Sequence, residues 1–288
     1  MEAALAWVAE PLTFEFMRRA LAVTLVAAVA CAVLSCWLVL IGWSLMGDAV
    51  SHAVLPGVVL AYVAGLPFAV GALVFGVGAV ALIGAVRDTS RVKADAAIGV
   101  VFTTLFALGL VLVSVVPSQI DLGHILFGNV LGVSDAELWQ VLVLGAGAVV
   151  IALVKRRDLT LHAFDPTHAH AVGISPRRIS TLLLGLLAVT SVVGLQAVGV
   201  VLVVAMLIIP GATATLLTRR FRRMLVIAPA TAAVCAVAGI YASYYLDTSV
   251  GGTVVLTQGL AFTAAYAVTL RARRRAARRP LAREAVAA

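Results

Sequence analysis

Residues 179–218 of the chain read ISTLLLGLLAVTSVVGLQAVGVVLVVAMLIIPGATATLLT. This stretch contains no charged residue, yet arginines flank it directly at Arg177-Arg178 and at Arg219-Arg220. A helix needs about 20 consecutive apolar residues to cross the hydrocarbon core of a bilayer. The stretch is therefore long enough for two crossings, and it predicts a pair of membrane-spanning helices.

The composition of the whole chain agrees with this interpretation. Of the 288 residues, 63% are hydrophobic and only 12% are charged, which excludes a water-soluble globular protein. A chain of this length has room for about eight to ten spans with short connections, and none for a second soluble domain. We expect an all-α fold, a polytopic transmembrane helical bundle of about eight spans, or nine, in the bacterial inner membrane.

Basic residues lie in short clusters between the apolar runs, and they set the expected orientation. Cytoplasmic loops of membrane proteins carry an excess of lysine and arginine, so each cluster is predicted to be cytoplasmic. The same clustering accounts for the net charge of +8 without a nucleic-acid partner. The clusters are Arg87/Arg91/Lys93, Lys155/Arg156/Arg157 with Arg177/Arg178, Arg219/Arg220/Arg222/Arg223, and the tail from Arg271 onward.

The first part of the chain does not fit this orientation easily. Only Asp48 is charged between residues 20 and 86, a length that allows three crossings. Yet Arg18-Arg19 and Arg87 should both face the cytoplasm. Either the N-terminus is outside, or one segment does not fully cross. We favour an incomplete crossing around Asp48, because glycines and prolines interrupt that segment and broken helices are tolerated where they line a cavity.

These patterns predict one permease domain with short additions. We expect residues 1–19 to form an N-terminal cytoplasmic or interfacial segment and residues 20–270 to form the transmembrane domain. Residues 155–178 are then a cytoplasmic loop within that domain. Residues 271–288 form a basic cytoplasmic tail, whose arginines suit a surface of anionic lipid.

The most informative motif is LMGDAVSHAVLPG, residues 45–57, because it places Asp48 inside an apolar run. An ionisable residue at membrane depth costs about 2.5 to 3.5 kcal/mol on insertion scales, so it usually faces a cavity or a partner. In a helix, Asp48 and His52 share one face because they are four residues apart. Carboxylate and imidazole suit divalent metals such as manganese, zinc and iron. The pair is a candidate half-site, and two copies would supply four ligands.

The spacing alone leaves two other interpretations of the pair open. Asp48 could start a helix and cap the backbone of Val50 or Ser51, with a neutral His52 hydrogen-bonded nearby. Alternatively, the two side chains could form a proton relay.

Two further segments have unusual patterns. Pro210 interrupts an apolar run before small residues, which predicts a packing kink without a ligand role. In the loop 155–178, Asp165-Pro166 is a helix-start signal and Gly173 a stop signal. We therefore expect a short helix at the cytoplasmic surface. No cysteine or carboxylate completes a closed metal site with the three histidines of this loop, so we interpret them as solvated. They are His162, His168 and His170.

The sequence contains no phosphate-binding loop of the G-x-x-x-x-G-K-[ST] type and no catalytic motif of the hydrolase or metalloprotease type. We therefore do not expect an enzyme. If ATP drives the protein, a separate subunit must hydrolyse it.

Three segments together resemble the manganese/zinc/iron ABC-transporter permeases. They are residues 47–57, 126–132 and 199–214, and their order and spacing also look like that family. The resemblance runs from about residue 18 to residue 270, and the string Gly-Asp-x-x-x-His-Ala-x-x-Pro-Gly is its most specific part. It implies a type II-like importer permease that binds no permanent cofactor and carries a divalent metal ion, manganese or zinc, as its substrate.

The resemblance also implies partners and site residues. Two permease copies would pair with a cytoplasmic dimer of ABC ATPase subunits, and an extracytoplasmic metal-binding protein would deliver the metal. The metal-passage residues of the family correspond to Asp48 and His52. The competing class is a proton- or ion-coupled secondary transporter, which would also place ionisable residues at the midplane. The coupling helix that docks on the ATPase corresponds to the segment with Phe164, Asp165, Pro166, Ala169, Val172 and Gly173.

Overall fold

The computed structural model describes residues 9–116 and 132–284, and all regular secondary structure within them is helical. Most of the resembling segment 126–132 lies outside the described residues. The helices are α1 (Glu15–Ile41), α2 (Ser44–Ala53), α3 (Leu55–Val63), α4 (Phe68–Thr89), α5 (Ala94–Val115), α6 (Asp135–Val154), α7 (Arg156–Phe164), α8 (Pro166–Ala171), α9 (Pro176–Val198), α10 (Val200–Leu217), α11 (Phe221–Leu246) and α12 (Val250–Glu284).

Eight segments of the described chain are long and apolar enough to cross a membrane. One of them, Leu45–Val63, consists of the two short helices α2 and α3. The apolar part of α10, Leu202–Leu217, is shorter than the other eight. The prediction of an all-α bundle with about eight spans is confirmed.

One end of the bundle carries basic clusters, and α1 finishes there. Phe164, which ends α7, and Phe221, which begins α11, have ring centroids 6.4 Å apart, so residues 155–157 and 219–223 lie at the same end. We call it the basic end. Trp37 of α1 packs on Phe221 with centroids 5.4 Å apart and donates a hydrogen bond to Thr160 of α7, Nε1 to Oγ1, over 3.2 Å.

The start of α1 lies at the opposite end. Arg19 forms an ion pair with Asp135, the first residue of α6, at 2.9 Å. Phe14 contacts Tyr244, near the last turn of α11, with ring centroids 6.4 Å apart. The structure therefore differs from the sequence-based expectation that the N-terminus and the basic clusters share one side.

The reason is that α2 and α3 together cross the bundle. They start where α1 ends, and α4 then starts at the opposite end, where Ala69 packs with Val192 of α9. Pro56 lies in the first turn of α3, where the missing N–H of proline leaves no hydrogen bond unmade. The chain therefore continues in the same direction after the break. With the shorter α10, the eight spans give nine passes in the described chain.

Small residues let the helices approach closely, as expected for membrane bundles. At the crossing of α3 and α4, a methyl group added to Gly57 would lie 2.1 Å from the carbonyl oxygen of Gly71. The two backbones are therefore in direct contact, and this crossing requires glycine on both helices.

Candidate functional site

Asp48 and His52 both lie inside α2, and their side chains meet. His52 Nε2 is 3.2 Å from Asp48 Oδ1, and the side chains are 21% and 32% exposed respectively. The prediction that the two residues share one helix face is confirmed. The pair presents one oxygen and one nitrogen ligand from adjacent turns of a single helix.

The alternative in which Asp48 caps a helix start is wrong. Helix α2 begins at Ser44, with Trp43 at the cap position, so Asp48 is already in the second turn. Ser51 does not depend on Asp48 either, because its hydroxyl donates to the carbonyl oxygen of Gly47 over 2.8 Å.

Two aromatic rings from α5 surround His52. Phe106 meets the imidazole edge to face at a centroid distance of 5.1 Å, and Phe102 lies at 6.1 Å. His52 Nδ1 is buried and has no hydrogen-bond partner among the described residues. The sequence analysis did not find these phenylalanines, because apolar residues of a spanning helix carry no signal of which neighbour they contact.

The pair by itself is an incomplete metal site. Within residues 9–116 and 132–284, no group of three or more His, Cys, Asp or Glu side chains could hold a metal ion. One chain therefore offers two ligands at Asp48 and His52, and the remaining ligands of a bound ion would come from water or another molecule. The histidines of the loop, including His168 and His170, form no such group either.

The helix behind the pair is interrupted by Pro210, as the sequence indicated. Just after the proline, Gly211 donates its backbone N–H to the hydroxyl of Ser35 in α1 over 3.0 Å. The same hydroxyl donates to the carbonyl oxygen of Ile208 over 3.3 Å. The proline segment therefore packs against α1, which agrees with a packing role.

The short helix expected in the loop is present as α8. Asp165 caps it by accepting the N–H of His168 over 2.8 Å, and Pro166 occupies its first turn. Gly173 follows with φ of 86°, a left-handed conformation that favours glycine. We call residues 156–173, which comprise α7, α8 and the turn after them, the coupling segment.

The coupling segment has one buried side and one exposed side. Ala169 is fully buried, whereas Phe164 and Val172 are 63% and 55% exposed. On the buried side, His162 Nε2 lies 2.9 Å from the hydroxyl of Ser180 in α9. Burial lowers the pKa of His162, because the surrounding protein disfavours the charged imidazole.

Known proteins are similar to this chain over most of its length. The family model described as the ABC 3 transport family matches residues 13–269. The chain is 50% identical over 250 residues to the manganese transport system membrane protein MntB of Synechocystis sp., which covers 87% of this chain and 82% of that protein. It is 46% identical over 258 residues to the chelated iron transport system membrane protein YfeD of Yersinia pestis, covering 90% and 87%.

A solved structure has the same fold. PsaBC from Streptococcus pneumoniae in complex with Fab superposes with a TM-score of 0.84 at 36% identity, over 92% of this chain and 95% of that one. The family match, the two relatives and this structure agree with the helical bundle described above. The chain belongs to the ABC 3 transport family, as a multi-pass membrane permease subunit that is not itself an enzyme.

Proposed function

We propose that the chain forms the translocation pathway of an ATP-driven importer for divalent metal ions, as a homodimer. The observation that carries this proposal is the Asp48–His52 pair, two metal-ligand side chains in contact inside a spanning segment. The relatives named for manganese and chelated iron transport support a metal substrate, and manganese or iron are the first candidates. Zinc is also compatible with the same ligand types.

The partial exposure of the pair supports pairing of two copies. A carboxylate that faced lipid would be costly, by about 2.5 to 3.5 kcal/mol on insertion scales. A second copy that covers this face would remove Asp48 from lipid and add its own pair. Two pairs then supply four protein ligands around one ion.

The surroundings of His52 suit a site that binds its ion only briefly. Histidines that hold a metal usually donate their other ring N–H to a partner, which orients the ring and strengthens the bond. His52 Nδ1 has no such partner in the described part of the chain. A transport site must bind strongly enough to replace water and weakly enough to release, and this arrangement favours release.

The coupling segment supports a partner at the basic end. Phe164 and Val172 are large apolar side chains exposed on a short, capped helix region. We propose that this face docks on a cytoplasmic ABC ATPase dimer, and that Asp165, Pro166, Ala169 and Gly173 maintain its shape. An extracytoplasmic binding protein would deliver the metal at the opposite end.

The orientation follows from the basic clusters. With the basic end in the cytoplasm, residues 155–178 are a cytoplasmic loop of the permease domain 20–270, and residues 271–288 are a basic cytoplasmic tail. The start of α1 then lies on the extracytoplasmic side.

The test is metal uptake by proteoliposomes that contain the permease, its ATPase and the binding protein. Asp48→Asn keeps the shape of the side chain but removes its charge, so we expect uptake to fall at least about tenfold, and His52→Ala to have a similar effect. Asp247→Asn is the matched control, because Asp247 is exposed in the turn after α11 with φ of 50°, which asparagine also adopts.

Parental uptake by both Asp48→Asn and His52→Ala would contradict the proposed site. Uptake that persists without ATP but stops when an uncoupler collapses the proton gradient would instead indicate a secondary transporter.

A further inference from the structure

The backbone of α2 rests directly on a leucine of α10, one residue before Asp48. Gly47 is buried, and a methyl group added to it would lie 3.2 Å from Leu207 Cδ1 and 3.5 Å from Leu207 Cβ. Leu187 of α9 lies slightly farther away, at 3.9 Å from the same position. Leu207 therefore sets how closely this part of α2 approaches α10.

Leu207 itself has little freedom to move. Its side chain is fully buried, and it lies one turn before the point where α10 is fixed to α1. There the hydroxyl of Ser35 accepts the N–H of Gly211 and donates to the carbonyl oxygen of Ile208. A methyl group on Gly211 would lie 2.7 Å from the backbone oxygen of Ser35, so the two helices touch through their backbones.

We propose that Leu207 is a positioning residue for the Asp48–His52 pair, an inference that rests on the metal-transport function proposed above. Leu207 supports α2 from behind at Gly47, and the contact between Ser35 and Gly211 holds Leu207 in place. Metal–ligand distances tolerate only about 0.2 Å of variation. A displacement of α2 by a few tenths of an ångström therefore changes metal affinity without removing a ligand.

The test measures binding of Mn²⁺ to the purified full-length permease in nanodiscs, from the electron paramagnetic resonance signal of free Mn²⁺. Gly47→Ala pushes α2 away from the rigid Leu207, and we expect binding to weaken about tenfold. Gly47→Ala combined with Leu207→Ala removes the atom at 3.2 Å, so binding should recover most of the loss. Gly99→Ala in α5 is the matched control, because nothing lies within 4 Å of the added methyl group.

A second pair of variants tests the support of Leu207 independently. Ser35→Ala removes both hydrogen bonds to α10, and we expect it to weaken Mn²⁺ binding. Thr24→Val is its control, because Thr24 is buried in the same helix and its hydroxyl has no hydrogen-bond partner among the described residues. This pair also decides the question if Gly47→Ala does not fold.

Asp48→Asn separates the two proposals. If Asp48→Asn binds Mn²⁺ as the parent does, the metal site itself is wrong. If Asp48→Asn loses binding while Gly47→Ala and Ser35→Ala keep the parental affinity, the site stands and the role of Leu207 is overturned. A double variant at positions 47 and 207 that binds no better than Gly47→Ala also overturns it.

Discussion

Trp37 in α1 donates a hydrogen bond from its indole Nε1 to the hydroxyl of Thr160 in α7 over 3.2 Å. Its ring also packs on Phe221 at the start of α11. The first spanning helix is therefore tied directly to the coupling segment. Trp37 is two residues from Ser35, which holds α10, so a movement of the coupling segment can reach the helices around the metal pair through α1.

Trp37→Phe tests this connection. The variant keeps an aromatic ring but loses the hydrogen bond to Thr160, which is worth about 1 kcal/mol. We expect fewer metal ions transported per ATP hydrolysed in proteoliposomes, with normal assembly of the complex. Trp139→Phe is the control, since Trp139 is 66% exposed on α6. An unchanged ratio of metal to ATP in Trp37→Phe would show that α1 does not transmit the movement.

Val172→Asp and Phe164→Asp test the docking face. Each variant places a charge in an apolar interface with the ATPase, and we expect the affinity of the subunits to fall about tenfold or more. Co-purification and ATP-driven uptake measure the effect. Val92→Asp makes the same change at another exposed valine near the basic end, and it should leave assembly intact. Full assembly and uptake in both coupling-segment variants would remove the assignment.

Cysteine labelling tests the orientation of α1. The native cysteines Cys31, Cys36 and Cys235 are buried, so a new cysteine at an exposed position can be labelled selectively. We expect Leu12→Cys to react with a membrane-impermeant maleimide from outside intact cells, and Val172→Cys to react only after permeabilisation. Protection of Leu12→Cys in intact cells would restore the cytoplasmic N-terminus that the basic residues near it suggested.

The buried imidazole of His162 predicts a dependence of stability on pH. Because burial lowers the pKa of His162 in the folded protein, the unfolded chain binds the proton more readily. The stabilisation is therefore present while both forms are neutral, above the ordinary histidine pKa of about 6.5, and is lost as the pH falls below that value.

We expect the melting temperature to decrease between pH 7.5 and pH 5.5, and His162→Gln to reduce this decrease. Glutamine can still form a hydrogen bond with Ser180, whereas it does not titrate. His170→Gln is the control, because His170 is exposed on α8. An equal decrease in the parent and in His162→Gln would assign the pH dependence to other groups.

Local chemistry made several features predictable from the sequence. Charge-free runs fix where spanning helices can lie, because lipid cannot solvate charged side chains. The four-residue spacing places Asp48 and His52 on one face of any helix that contains them. Asp165, Pro166 and Gly173 specify the ends of α8 through their own backbone and side-chain geometry.

The direction of α1 required the tertiary structure. Hydrophobicity marks a span without indicating which of its ends is outside, and the basic residues near the N-terminus suggested the wrong partner. The ion pair between Arg19 and Asp135 joins residues far apart in the chain, and only the packed bundle brings them together.

The sequence by itself therefore determined the helices, the metal-ligand pair and the coupling segment, since each depends on neighbours within a few residues. The tertiary structure decided that α2 and α3 cross the bundle, that Phe102 and Phe106 enclose His52, and that Leu207 lies behind Gly47. These contacts depend on how apolar helix faces fit one another. Many leucines, valines and phenylalanines are equally apolar, so only their packing distinguishes the residue that touches the site from one that faces lipid.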